Sequence, residues 1–149
     1  MAEQQMPALV PSLVVSDVQA TLDWFGKLGF TTEFSMPGPD GGIAHAEVSR
    51  GPDVRLMLGP TGWGPSAPGS TGMSLYITLR ESVDAYHQSV SSAGVSVIDA
   101  LTDQFWGDRT FTVEHPDGYR IMFAEHVRDT TPEEMDAAMK EMAAAGAPA

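Results

Sequence analysis

Apolar positions recur along the chain at two alternating periods. Residues 9–15 are rich in β-branched side chains and predict a strand. Asp17 stands where a helix cap is expected, and Leu22, Trp24, Phe25 and Leu28 follow at helical spacing until Gly29. Residues 30–34 predict a second strand and residues 36–42 a Pro/Gly loop. Residues 43–48 and 54–58 predict a hairpin around Arg50-Gly51-Pro52-Asp53. The same order then returns. Residues 74–79 predict a strand, and residues 82–93 a helix with Val83, Tyr86 and Val90 on one face, closed by Gly94. Residues 95–98 predict a strand, and residues 109–114 and 119–125 a hairpin around His115-Pro116-Asp117-Gly118.

This is a loose internal duplication, in which Val54-Arg55-Leu56-Met57-Leu58 lies over Tyr119-Arg120-Ile121-Met122-Phe123. The expected fold is α+β: two βαβββ modules over residues 1–58 and 74–127, joined by a Gly/Pro-rich linker over 59–73. A helical tail occupies 128–149. Each sheet uses one face for its own helix. The other face needs a cover, and the natural cover is the sheet of another module, with a cavity between two curved sheets. In the tail, Thr131-Pro132-Glu133-Glu134 reads as a capped helix start. Met135, Met139 and Met142 then form an adaptable apolar stripe that docks on its own domain or on a second subunit.

Composition narrows the function. The 149 residues fit one ordinary domain, here built from two half-sized units. With 20 acidic and 8 basic residues the formal net charge is −12, which argues against nucleic acid and against anionic membrane as partners. A cationic ligand is compatible with that charge, but plain solubility is the commoner reason for an acidic surface. The absence of cysteine excludes disulfides, thiolate metal sites and thiol nucleophiles. No basic, apolar leader opens the sequence, and no stretch nears the roughly 20 apolar residues that span a bilayer. These features lead to the expectation of a cytoplasmic domain.

Several segments in order resemble the vicinal oxygen chelate superfamily, the glyoxalase, bleomycin-resistance and dioxygenase group, in its PhnB-like branch. They are Val10-Pro11-Ser12-Leu13-Val14-Val15-Ser16-Asp17, His45-Ala46-Glu47-Val48, Asp103-Gln104-Phe105-Trp106-Gly107-Asp108-Arg109, His115-Pro116-Asp117-Gly118-Tyr119 and Thr131-Pro132-Glu133-Glu134-Met135. The resemblance implies the paired βαβββ fold and, in metal-dependent members, four ligands to one divalent ion. Carried over singly, those ligand positions fall on Val10, Met57, Ser74 (or Leu75) and Met122. Two methionines and a valine do not hold hard divalent ions, which require imidazole or carboxylate here. The site therefore resembles that of the metal-free binding proteins, and neither metal nor cofactor is expected.

The remaining candidates follow from strand parity. His45 and Glu47 share one strand face. A three-residue hairpin loop pairs Glu47 with Met57 and turns it into the cavity; a four-residue loop turns it towards the helix. The cavity is the expected side, because a buried carboxylate without partners is costly. In the last hairpin a four-residue turn puts Phe111 opposite Met122 and Arg109 opposite Ala124, so Arg109, Phe111, Arg120 and Met122 share a face. Ser74 and Tyr76 share another. Phe105 and Trp106 sit at the rim, suited to stacking on a planar or cationic ligand, or to capping the core or a subunit interface. The two arginines bind an anionic group or pair with Glu47 or Asp108. The expected ligand site is thus Glu47, Met57, Ser74, Tyr76, Phe105, Trp106, Arg109, Phe111, Arg120 and Met122, in a homodimer that sequesters a small organic molecule. The rival is a glyoxalase-like lyase, isomerase or dioxygenase with a displaced metal held by His45, Glu47 and a third group such as Glu125. A metal-free enzyme using Glu47 or Tyr76 as acid or base is a third reading.

Overall fold

Side-chain caps set where the helices begin. Asp17 accepts a hydrogen bond from the Ala20 amide, Ser82 from Ala85 and Thr131 from Glu134. In this computed structural model, which describes residues 6–62, 68–69 and 72–146, they open helices α1 (Val18–Lys27), α2 (Val83–Ser92) and α3 (Pro132–Ala144). The strands of the first module are β1 (Ser12–Val15), β2 (Thr31–Pro37), β3 (Ile43–Arg50) and β4 (Val54–Pro60). Those of the second are β5 (Leu75–Thr78), β6 (Val97–Asp103), β7 (Asp108–Glu114) and β8 (Arg120–His126).

The duplication is visible in the topology. Each module forms a mixed four-stranded sheet, ordered β1-β4-β3-β2 in one and β5-β8-β7-β6 in the other. The first strand of each runs parallel to the last, and the remaining pairs are antiparallel. Alternation assigns the faces. Leu13, Val15, Ala46, Val48, Leu56 and Leu58 are buried with Leu22 and Phe25 of α1; Ile77, Phe111, Val113, Ile121 and Phe123 are buried with Val83 and Val90 of α2. The two halves share one continuous apolar core.

The modules are also tied by polar contacts. Tyr119 donates its phenol to the Val14 carbonyl at 2.7 Å, and Tyr86 donates to the Leu28 carbonyl at 2.5 Å. Ser16 binds the Asp117 carboxylate through its amide and hydroxyl. Arg50 pairs with Glu81 and lies 4.5 Å from the centre of the Tyr86 ring. His115 sits at the heart of this joint, 6% exposed. Its Nδ1 accepts the Asp117 amide at 3.0 Å, so Nε2 carries the hydrogen and faces the Thr21 hydroxyl at 2.9 Å. Burial, only partly opposed by the Asp117 charge, holds its pKa below the usual value.

Several boundaries differ from the sequence expectation. β2 continues through Met36 and Pro37, β6 runs to Asp103, and β4 takes in Gly59 and Pro60 from the expected linker. Much of the rest of that linker, 63–67 and 70–71, lies outside the described residues, as do 147–149 of the tail. The first strand is shorter than expected: Leu9 precedes it and is 81% exposed.

Candidate functional site

Register builds the site on the sheet faces turned away from the helices. In the first module Ser12, Met57, Glu47 and Phe34 lie side by side across β1, β4, β3 and β2. In the second, Tyr76, Met122, Thr112 and Asp99 occupy the corresponding row across β5, β8, β7 and β6. Met57 and Met122 hold equivalent positions, as the internal duplication requires. Among the described residues nothing closes over these rows. Phe34, Met36 and Tyr76 are each more than 40% exposed, and Met57 and Met122 are half-buried.

A polar cluster crosses the first face. The β3–β4 loop leaves Arg50 opposite Val54, so Glu47 pairs with Met57 and points to the open side. Its Oε1 accepts from the Arg55 Nε at 3.1 Å, and its Oε2 lies 3.3 Å from His45 Nε2. All three side chains are largely buried, at 14% exposure for Glu47, 15% for Arg55 and 31% for His45. Arg55 went unnoticed in the sequence. The signal was its parity with Met57 on the same strand.

On the second face, Ser74 and Arg120 line a recess of about 530 Å³ with Met73 and Glu114. Arg120 pairs with Glu114 at 3.0 Å. Tyr76 donates to Asp108 at 2.5 Å and accepts from the Trp106 indole at 3.0 Å. Burial and then the Asp108 hydrogen bond raise the Tyr76 pKa. Burial alone would raise the Asp108 carboxyl, but hydrogen bonds from Tyr76, His126 and Trp106 outweigh it and hold it below the usual value. Both ring nitrogens of His126 face carboxylates, Nδ1 at 2.9 Å from Asp108 and Nε2 at 2.7 Å from Asp129. Hydrogen bonds from the ring to Asp129 and Asp108 favour the form in which both nitrogens carry hydrogen and raise its pKa. The Thr112 hydroxyl, in the same row as Met122, is buried without a hydrogen-bond partner among the described residues.

Three expected site residues fall elsewhere. The last turn is tighter than the anticipated four residues: the His115 amide donates to the Tyr119 carbonyl at 2.8 Å, so His115 faces Tyr119 and Glu114 pairs with Arg120. Phe111 consequently opposes Phe123, is fully buried and packs on Tyr86 and His87 of α2. Arg109 opposes Glu125 and is engaged by Asp103 and Asp84, not by Glu47 or Asp108. Phe105 meets Trp106 edge-on at 5.0 Å, yet it lines a separate groove with Ala138 and Met142 of α3.

The donor set does not fit a divalent metal. Val10, Met57, Ser74 and Met122 supply no imidazole or carboxylate. Glu125 binds the Val83 amide at the start of α2 at 2.9 Å, on the helix side of its sheet, so it does not complete a set with His45 and Glu47. Among the described residues no group of three or more His, Asp or Glu side chains is placed to hold a metal.

Paired βαβββ modules with open sheet faces define a class, and a family model confirms it. Residues 8–123 match the Glyoxalase/Bleomycin resistance protein/Dioxygenase superfamily, and the chain belongs to that superfamily. An uncharacterized protein of Mycobacterium bovis is 36% identical over 147 residues, covering 93% of this chain and 96% of its own. Among solved structures, TioX from Micromonospora sp. ML1 is similar at 26% identity with a TM-score of 0.68, covering 80% of this chain and 98% of its own. TnmS3, an antibiotic binding protein from Streptomyces sp. CB03234, is similar at 25% identity with a TM-score of 0.61, covering 85% and 98%.

Proposed function

We propose that the protein is a metal-independent small-molecule-binding protein that acts by sequestration, within the PhnB-like branch of the superfamily. The observation that carries this reading is the side-chain chemistry at the four ligand positions. Val10, Met57, Ser74 and Met122 replace a metal-binding ring with soft, mostly apolar surface. Members of the superfamily bind small ligands, and the similarity to an antibiotic binding protein supports a binding role. The ligand would lie against Met57 and Phe34 on one wall and against Met122, Tyr76 and Trp106 on the other. Aromatic and thioether groups favour a flat organic molecule.

The two walls require a cover. The shared core and the ties through Tyr119, Tyr86, Asp117 and His115 fix one module on the other by their helix sides. A second copy of the chain is the cover we propose, giving a homodimer. Titrating a panel of planar aromatic natural products against tryptophan fluorescence tests the binding role. Saturable quenching by at least one compound is expected; no saturable response across the panel counts against it. Elemental analysis of the purified protein tests the rival enzyme. Near-stoichiometric nickel, zinc, iron or manganese that is lost on Glu47→Ala would overturn the ranking.

A further inference from the structure

Arg55 and Glu47 interrupt an otherwise soft wall. A largely buried ion pair is seldom more stabilising than apolar side chains of the same size, so its presence on a face destined for cover calls for another reason. The hydrogen-bond inventory supplies one. A guanidinium carries five N–H donors, and the only side-chain hydrogen bond of Arg55 among the described residues uses Nε. Glu47 has its second oxygen turned to His45, so it does not close a two-pronged fork on Arg55. Ser49, opposite Arg55 across the ladder, donates its hydroxyl to Glu33 at 2.6 Å. The terminal nitrogens of Arg55 thus have no protein acceptor among the described residues. Once the face is covered, they need an acceptor.

We propose that Arg55 anchors an anionic oxygen group of the ligand, a carboxylate, sulfonate or phenolate borne on an aromatic body. This deepens, and rests on, the binding role proposed above. The planar fork of arginine matches such groups two oxygens at a time, while Met57 and Phe34 beside it receive the ring. The net charge of −12 opposes an anion at long range, so the preference has to be local and desolvated.

Two dyes with the same aromatic body test it: anilinonaphthalene sulfonate and its uncharged counterpart N-phenylnaphthylamine, titrated by fluorescence. The wild-type protein should bind the sulfonate at least about tenfold more tightly, in keeping with hydrogen bonds to a charged group. Arg55→Gln should remove that preference and leave the affinity for the neutral dye unchanged. The double variant Arg55→Gln, Glu47→Gln, which leaves no orphan charge, should behave likewise and keeps the test valid if the single variant is unstable. Equal binding of both dyes by the wild type overturns the proposal, as does an equal loss of both in the double variant. Dissociation of the dimer in Arg55→Gln without any dye preference would assign the guanidinium to the subunit contact and also overturns it. Binding of neither dye, while a neutral aromatic of the panel binds, also overturns the anchor; silence of the whole panel removes the binding role and the anchor with it.

Discussion

At the scale of single residues, Gly107 has the least freedom to vary. Its φ of +101° lies in the left-handed region, and a Cβ there would run into the Arg128 carbonyl oxygen. The Gly107 carbonyl meanwhile accepts the Val127 and Arg128 amides, so this glycine pins the loop bearing Trp106 to the end of β8. Gly107→Ala should lower stability by about 2 kcal/mol or more in denaturant unfolding, from strain plus displaced backbone. A change within about 0.5 kcal/mol, the usual range for a surface substitution, would contradict that role. Legibility at this scale depended on strand parity. Met57, Glu47 and Tyr76 could be placed by alternation because the loops near them have the expected length. Arg109 and Phe111 were misplaced because a turn one residue tighter than expected shifts the β7–β8 register and reverses the side assigned to β7.

Among the elements, the capped helices and buried strands were readable, and the edge strands only at their beginnings. β2 and β6 have mostly exposed side chains, including Thr31, Glu33 and Ser35 in one and Asp99 and Thr102 in the other. Ladder hydrogen bonds to β3 and β7 carry them past the point where apolar periodicity fades, and both include register irregularities. The β7–β8 turn was read as a plain turn, but it is the joint between modules, with His115 buried beside Trp24. Its folded pKa lies below the free imidazole value near 6.5. A depressed value contributes stability that is present above the unfolded pKa and lost as pH falls towards the folded one. Stability should therefore decline as pH falls below about 6.5. His115→Gln should flatten that part of the profile in thermal unfolding across pH. An unchanged pH slope in the variant would remove His115 from the account.

For the whole molecule, the shared core and the polar ties predict that both modules unfold together. Circular dichroism and tryptophan fluorescence should give one coincident transition in denaturant; two separated transitions would mean that the modules are independent. The open sheet faces predict association, so sedimentation should return twice the chain mass at micromolar concentration. A strict monomer would leave the cavity without its second wall. The fold could be read from sequence because duplication repeats its signals. The cover could not, because the residues it contacts look like any half-exposed strand face.

The central claim is that a small molecule lies between the two methionine-bearing sheet faces. Methyl spectra of methionine-labelled protein, recorded while N-phenylnaphthylamine is added, test it most directly. Of the nine methionines, Met57 and Met122 sit on those faces, whereas Met135, Met139 and Met142 lie on α3. The account predicts that the Met57 and Met122 methyl signals move together under the ring current and saturate at a common dissociation constant. The α3 signals should stay in place. Saturating shifts confined to the α3 methionines, or no shift at Met57 and Met122 when the dye is bound, would contradict it.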